Sequence, residues 1–327
     1  MGCGSFGMNG FEVSAFSQLL EEMGTRPPSL EETIWLFRAV DGSAQALAAL
    51  CEVAARVRDR EMNGRDEVEA AFNSVVPCLL RPLCCYCPYW RDENQELMSV
   101  EEIVQQVRYL REETEVRQFH LSGGSLRGPE DCGVVGIVEA IRDAGFVDMD
   151  VVVNCGASFS DADLARLKEL RVKRVFSVFE TTNPQVFSAT KPGDDLDEKR
   201  RFAARIAQAG MEVGSGIMAG LGPVDTRFED YAKALSDLAA LENLSCVYVS
   251  KFRHAARILM NDHPECPLDE ALALVAMARL VLREVHIRAA AGWCAKDQVR
   301  ATGAGAGSIT IPCSFSKGRT HWAASGR

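Results

Sequence analysis

From about residue 74 onward, short β-branched runs alternate with amphipathic helical segments, and this alternation limits the possible fold more than any other feature of the chain. Strand candidates lie at 74–77, 117–121, 149–153, 174–178, 211–214, 246–250, 285–288 and 308–311. Between them fall stretches of helical spacing, such as 160–170, which Ser160 can cap and in which Leu164, Leu167 and Leu170 share a face. Others lie at 129–144, 198–209, 228–241 and 268–283. A tight turn cannot join parallel neighbours, so strict alternation implies parallel strands linked by crossover helices. Eight such repeats predict an α/β fold, a closed (β/α)8 TIM-type barrel over residues 71–327, with its active site at the C-terminal strand ends. Residues 1–70 form a leader and a helical extension: Ser29-Leu-Glu-Glu32 is a capping box opening one helix, and a second helix runs over about 43–60.

Composition narrows the function classes. At 327 residues with 47% hydrophobic side chains, the chain can bury a sizeable core. A formal net charge of -10, with basic residues interleaved among acidic ones, argues against a nucleic-acid surface, which needs clustered Lys and Arg. No apolar run approaches the roughly 20 residues that cross a bilayer, and the start lacks a signal-peptide pattern. A cytoplasmic protein acting on a small molecule, without a membrane partner, is expected. The twelve cysteines then point to metal ligation, catalysis or burial rather than disulfides. Seven are scattered singly and read as small core residues; Cys78, Cys84, Cys85 and Cys87 are crowded into one loop after the first strand candidate.

Three thiolates on one loop can hold three irons of a cubane cluster and leave the fourth iron open to a ligand; adding Cys85 gives a closed site of zinc or iron–sulfur type. Structural zinc sites usually split their ligands into two separated pairs, and no second Cys or His pair follows here. Cys84-Cys-Tyr-Cys87 resembles the second half of the radical S-adenosylmethionine (SAM) signature Cys-x3-Cys-x2-Cys, including an aromatic, Tyr86, before the last cysteine. The first half departs from it. Position 80 is Leu, and the nearest upstream cysteine is Cys78, giving Cys-x5-Cys-x2-Cys with Cys85 left outside. That stretched spacing resembles the HmdB group, associated with biosynthesis of the iron-guanylylpyridinol cofactor of Hmd hydrogenase.

The resemblance, to the biotin-synthase, HydE and PylB branch of the superfamily, covers about residues 30–325. It implies a 4Fe-4S cluster on Cys78, Cys84 and Cys87, SAM as second cofactor, and reductive cleavage of SAM to a 5'-deoxyadenosyl radical, with the electron coming from a donor such as ferredoxin or flavodoxin. The segment at Ser122, Gly123 and Gly124 is similar to the one that receives the SAM amino group, and Glu180 matches the acidic residue that meets the SAM ribose or amino group. Lys199, flanked by Arg200 and Arg201, matches a basic residue that pairs with the SAM carboxylate. Biotin synthase holds an auxiliary 2Fe-2S cluster at positions that fall here on His120, Cys155, Gly214 and Arg288. Glycine cannot ligate iron, so sulfur insertion into dethiobiotin is rejected. His120, Cys155 and Arg288 remain as candidate substrate contacts: His120 as proton-transfer group, hydrogen-bond donor or satisfied core histidine, Cys155 as hydrogen-atom donor or filler, and Arg288 as partner of a substrate carboxylate. Rivals are a methylornithine-synthase-like or HydE-like enzyme and a zinc-binding scaffold.

Overall fold

The computed structural model describes residues 10–63, 67–91, 96–125, 133–157, 159–312, 314–316 and 319–321. Three helices lead: α1 (Gly10–Met23), α2 (Leu30–Val40) and α3 (Ala44–Met62). The capping box read at Ser29 forms, with the hydroxyl accepting from Glu32 N–H at 3.2 Å and the Glu32 carboxylate accepting from Ser29 N–H at 2.7 Å. Then follow β1 (Glu67–Phe72), α4 (Val100–Glu113), β2 (Gln118–Ser122), α5 (Val134–Asp143), β3 (Asp150–Asn154), α6 (Asp161–Glu169) and β4 (Val172–Phe176). After β4 come two helices, α7 (Pro184–Thr190) and α8 (Leu196–Gln208), then β5 (Glu212–Ala219), α9 (Arg227–Ala239), β6 (Leu244–Lys251) and α10 (Leu268–Val281). The chain continues through β7 (His286–Ala289), α11 (Ala295–Gly303) and β8 (Ser308–Pro312) to a small antiparallel pair, β9 (Ser314–Ser316) and β10 (Arg319–His321). No helix among the described residues is long and apolar enough to cross a membrane.

The alternation produces parallel pairing in chain order, but the expected (β/α)8 TIM-type barrel needs correction. Strands β1 to β7 form one curled parallel sheet, each paired with the next over at least three positions, with register shifts at Val151/Val152 in β3 and at Val213/Gly214 in β5. The eighth strand lies along β1, from Glu67/Ser308 to Ala71/Pro312, yet meets β7 only at Arg288/Ser308. The β7/β8 wall is therefore a seam, and the molecule is a seven-stranded curl carrying an eighth strand on its first edge rather than a uniformly closed eight-stranded barrel. The cause is local. After Ala289 the backbone stays with β6: Ala290 N–H donates to Val249 O at 3.1 Å, and Ala291 O accepts from Lys251 N–H at 2.8 Å. Gly292 then turns with φ +85°, where a Cβ would lie 1.8 Å from Lys251 O.

The first strand also differs. It occupies Glu67–Phe72, straddling the boundary expected between extension and barrel, while 75–79 run as an extended loop beside 122–125. Outside the curl, an apolar core joins sheet to helices and takes in the N-terminal helices, with Phe37 of α2 stacked on Phe228 of α9 at 5.6 Å. Inside, Val152, Phe176, Cys246 and Tyr248 make a separate plug, the Phe176 and Tyr248 rings stacked 4.3 Å apart. A Cβ on Gly214 would meet the Phe176 ring at 2.5 Å, so the volume beside that glycine belongs to the plug. Arg174 sits below it, fully buried and bonded to Glu212 (2.9 Å) and the Ser245 hydroxyl (2.6 Å).

Candidate active site

The loop after β1 carries the cysteine group and is fastened from two sides. Val75 N–H donates to Ser122 O at 3.1 Å, Gly124 N–H to Val76 O at 2.9 Å, and Leu79 N–H to Ser125 O at 3.0 Å, zipping the loop to the chain after β2. At Gly124 a Cβ would lie 2.1 Å from Cys78 Cα, and at Gly123 one would lie 2.4 Å from the Val76 side chain. In this structure the two glycines let the cysteine loop approach. From the other side the Arg91 guanidinium donates to Cys84 O at 2.7 Å and to Cys87 O at 3.0 Å.

Cys78, Cys84 and Cys87 share this loop, and Cys85 diverges from them. Its backbone N–H donates to Thr190 O at 2.8 Å and its thiol to Ala189 O at 3.5 Å, so it faces α7. Burial pushes the Cys84 thiol up to about 11, the nearby Lys191 opposing it, and burial likewise raises Cys87, against N–H groups of Tyr89 and Trp90. Ligation by a metal is what would make such thiols thiolate at neutral pH. Among the described residues no three Cys, His, Asp or Glu side chains are gathered into a metal-holding group. Cys78, Cys84 and Cys87 offer three thiols from one loop, the donor chemistry that an iron–sulfur cluster takes.

Besides a cavity on the Cys85 side, two cavities meet at Glu180 next to the loop. One, of about 400 Å³, is lined by Tyr86, Cys87, Glu180, Met218, Lys251 and Phe252, among others. Its neighbour, of about 370 Å³, lies over the inner plug and shares Tyr89, Glu180, Ala291 and Gly292 with the first. Glu180 stands between them with φ +65°, held there by its N–H to Gly216 O (2.8 Å) and by Met218 N–H to its own O (2.9 Å). Its Oε2 is buried without a hydrogen-bond partner among the described residues, and burial raises the carboxyl, with Lys191 and Lys199 pulling the other way.

Lys199, the expected partner of a SAM carboxylate, is itself buried and paired. Asp194 Oδ2 lies 3.2 Å from Lys199 Nζ and 3.1 Å from Lys191 Nζ. Burial would raise Asp194, but Lys199 and Lys191 reverse this and hold it near about 2. The two lysines share Asp194 beside Cys84 and Glu180, and burial, together with the charge of Lys191, lowers Lys199.

The residues read as substrate contacts separate. His120 and Ser122 line the second cavity. Cys155 lies in the outer apolar core, its thiol donating to Leu121 O at 3.7 Å, and Asn154 takes the place on the cavity wall. Arg288 is fully buried beneath the cavity and paired with Glu69, 5.7 Å from the centre of the Tyr248 ring. Glu69 was not foreseen. It sits on β1, in a Glu-Val-Glu-Ala-Ala-Phe run whose acid and alanine content hides a strand, and its oxygens meet His120, Tyr248, Gln118 and Arg288. The alternation of Glu69 and Ala71 on one face was the available signal.

Comparison with known proteins agrees with this arrangement. Residues 75–235 match the radical SAM superfamily. The uncharacterized protein MJ0785 of Methanocaldococcus jannaschii is 23% identical over 243 residues, which are 73% of this chain and 63% of that protein, so the match spans less than two thirds of the relative. Among solved structures, methylornithine synthase (PylB) superposes with a TM-score of 0.77 at 17% identity, over 92% of this chain and 87% of PylB. The FeFe-hydrogenase maturase HydG from Carboxydothermus hydrogenoformans gives 0.77 at 20% identity, over 96% and 76%. At such identities these two likenesses speak to fold alone. The family match covers the cysteine loop, strands β2 to β5 and the Glu180 segment, and over these residues the chain matches the radical SAM superfamily of enzymes.

Proposed function

We propose that this enzyme holds a 4Fe-4S cluster through Cys78, Cys84 and Cys87 and binds SAM in the cavity beside Cys87. The observation that carries the reading is the loop itself: three thiols on it, the fourth turned away to α7, and next to it a cavity edged by Tyr86 and by the unpartnered Glu180 Oε2. With cluster and SAM bound, such a site supplies one-electron reductive cleavage of SAM to a 5'-deoxyadenosyl radical. The protein's own part is placement. Glu180 offers an acceptor to the SAM ribose or amino group, and Lys199, with Lys191 beside it, offers a partner to the SAM carboxylate. Ser122, Gly123 and Gly124 hold the cysteine loop against the second cavity, where the substrate sits. An electron donor such as ferredoxin or flavodoxin completes the cycle.

The stretched Cys-x5-Cys-x2-Cys spacing supports a role in making the pyridinol part of the iron-guanylylpyridinol cofactor of Hmd hydrogenase. A methylornithine-synthase-like role is the second reading; the superposition on PylB supports its fold and not its substrate. The test is anaerobic reconstitution with iron and sulfide, followed by SAM and dithionite. Wild type should turn brown and release 5'-deoxyadenosine, and Cys78→Ala should lose both. A colourless, zinc-loaded protein that leaves SAM intact would overturn the reading, and full activity in Cys78→Ala would remove the first ligand. For the pathway, adding the active enzyme to an extract lacking it should restore Hmd-hydrogenase activation.

A further inference from the structure

The floor of the second cavity carries a polar group that SAM cleavage does not use. Glu69 is fully buried, and both its oxygens are engaged: Oε2 accepts from Gln118 Nε2 at 2.9 Å, while Oε1 accepts from the Tyr248 hydroxyl at 2.9 Å, lies 3.0 Å from His120 Nδ1 and pairs with Arg288. An isolated buried carboxylate costs several kcal/mol, and Arg288 offsets this by cancelling the charge. A carboxylate only accepts, so Nδ1 of His120 carries the hydrogen and Nε2 keeps its lone pair. Among the described residues Nε2 has no partner, and His120 lines the cavity. Burial holds the imidazole down to about 4, and Arg288 absorbs the Glu69 charge that would otherwise favour imidazolium. At neutral pH the cavity floor therefore presents a neutral hydrogen-bond acceptor.

The walls match such a floor. Asn73, Ser122, Asn154, Ser250 and Gln298 are polar and uncharged, and among the described residues no Lys or Arg lines the cavity. Glu180, at its edge, is the charged side chain there, and a substrate carboxylate would meet it without a counter-ion. Tyr89, Tyr248 and Trp293 supply flat aromatic surface. Resting on the radical SAM reading of the neighbouring cavity, we infer that Glu69 and His120 form a hydrogen-bond-accepting pair for an uncharged planar substrate bearing a hydroxyl or ring N–H, and not for a carboxylate. The substrate's hydroxyl or ring N–H donates to Nε2, while Glu69 fixes the ring through Nδ1–H. Glu69 and Tyr248 act as positioning residues; His120 touches the substrate.

Phenol, toluene and benzoate test this by ligand-observed NMR on the reconstituted protein with SAM. Phenol should bind about five- to tenfold more tightly than toluene, the worth of one good hydrogen bond, and benzoate more weakly than both. In His120→Phe the phenol preference should shrink to within about twofold while toluene still binds. Equal binding of phenol and toluene in wild type, or preference for benzoate, would overturn the inference. The tautomer gives a second measurement that needs no variant: 15N-histidine NMR should find His120 as Nδ1–H at pH 7, and Nε2–H would overturn the pair. Release of 5'-deoxyadenosine in the same samples reports on the underlying reading separately, so its absence removes that reading and the substrate role together.

Discussion

Glu69 shows how one side chain can organise a site and still escape a reading by motif. Its burial is tolerable because four groups face it at once, two of them from β2 and one each from β6 and β7. Gly124 is the opposite case, conspicuous in sequence, and here the backbone of Cys78 fills the space a Cβ would take. A methyl group there has nowhere to go, so Gly124→Ala should destabilise the protein by roughly 1–3 kcal/mol in urea unfolding and lower iron uptake together. The cysteines divide by what they face. Cys84→Ser should abolish the brown 4Fe-4S absorbance on reconstitution, whereas Cys85→Ser, changing a thiol that bonds Ala189 O, should keep it at wild-type intensity. Equal loss in both variants would restore the four-cysteine alternative.

Among the elements, the N-terminal helices are part of the folded body. Phe37 of α2 is buried between Phe228 and Tyr231 of α9, Arg38 pairs with Glu229, and Arg283, after α10, donates to the carbonyls of Met23 and Gly24. Removing that ring leaves a cavity between two helices, so Phe37→Ala should cost roughly 3–5 kcal/mol of stability while leaving SAM cleavage per folded molecule unchanged, as read by calorimetry and by deoxyadenosine release. The helix starts were legible because capping is local: Ser29 with Glu32 and Ser160 with Asp163 close as their spacing implies. The β7/β8 seam was not, because it depends on where the chain goes after Ala289, and a four-residue strand announces neither partner. β1 was hidden for a related reason, since a strand with an acidic inner face reads as exposed chain until its partners are known.

At the scale of the whole molecule, the buried imidazole ties stability to pH. An unfolded histidine takes a proton below about 6.5, but burial makes His120 refuse it until about 4, so in that window the unfolded chain binds more protons and stability falls with pH. Between pH 7 and 4.5 this amounts to roughly 2–3 kcal/mol, and urea unfolding of His120→Phe should show a slope shallower by that amount. An unchanged slope would mean that the imidazole is already charged in the folded state. The sequence by itself determined the parallel β-α alternation, the helix caps and the cysteine loop with its chemistry, because periodicity, capping and ligand spacing are written in neighbouring residues. Only the tertiary structure decided that Cys155 faces the core, that Lys191 and Lys199 share Asp194, that Arg288 pairs with Glu69, and that the eighth strand closes on β1 and barely meets β7. These are pairings between residues far apart in the chain, and the free energy that selects them comes from desolvating charges and packing rings against one another, which no local pattern records.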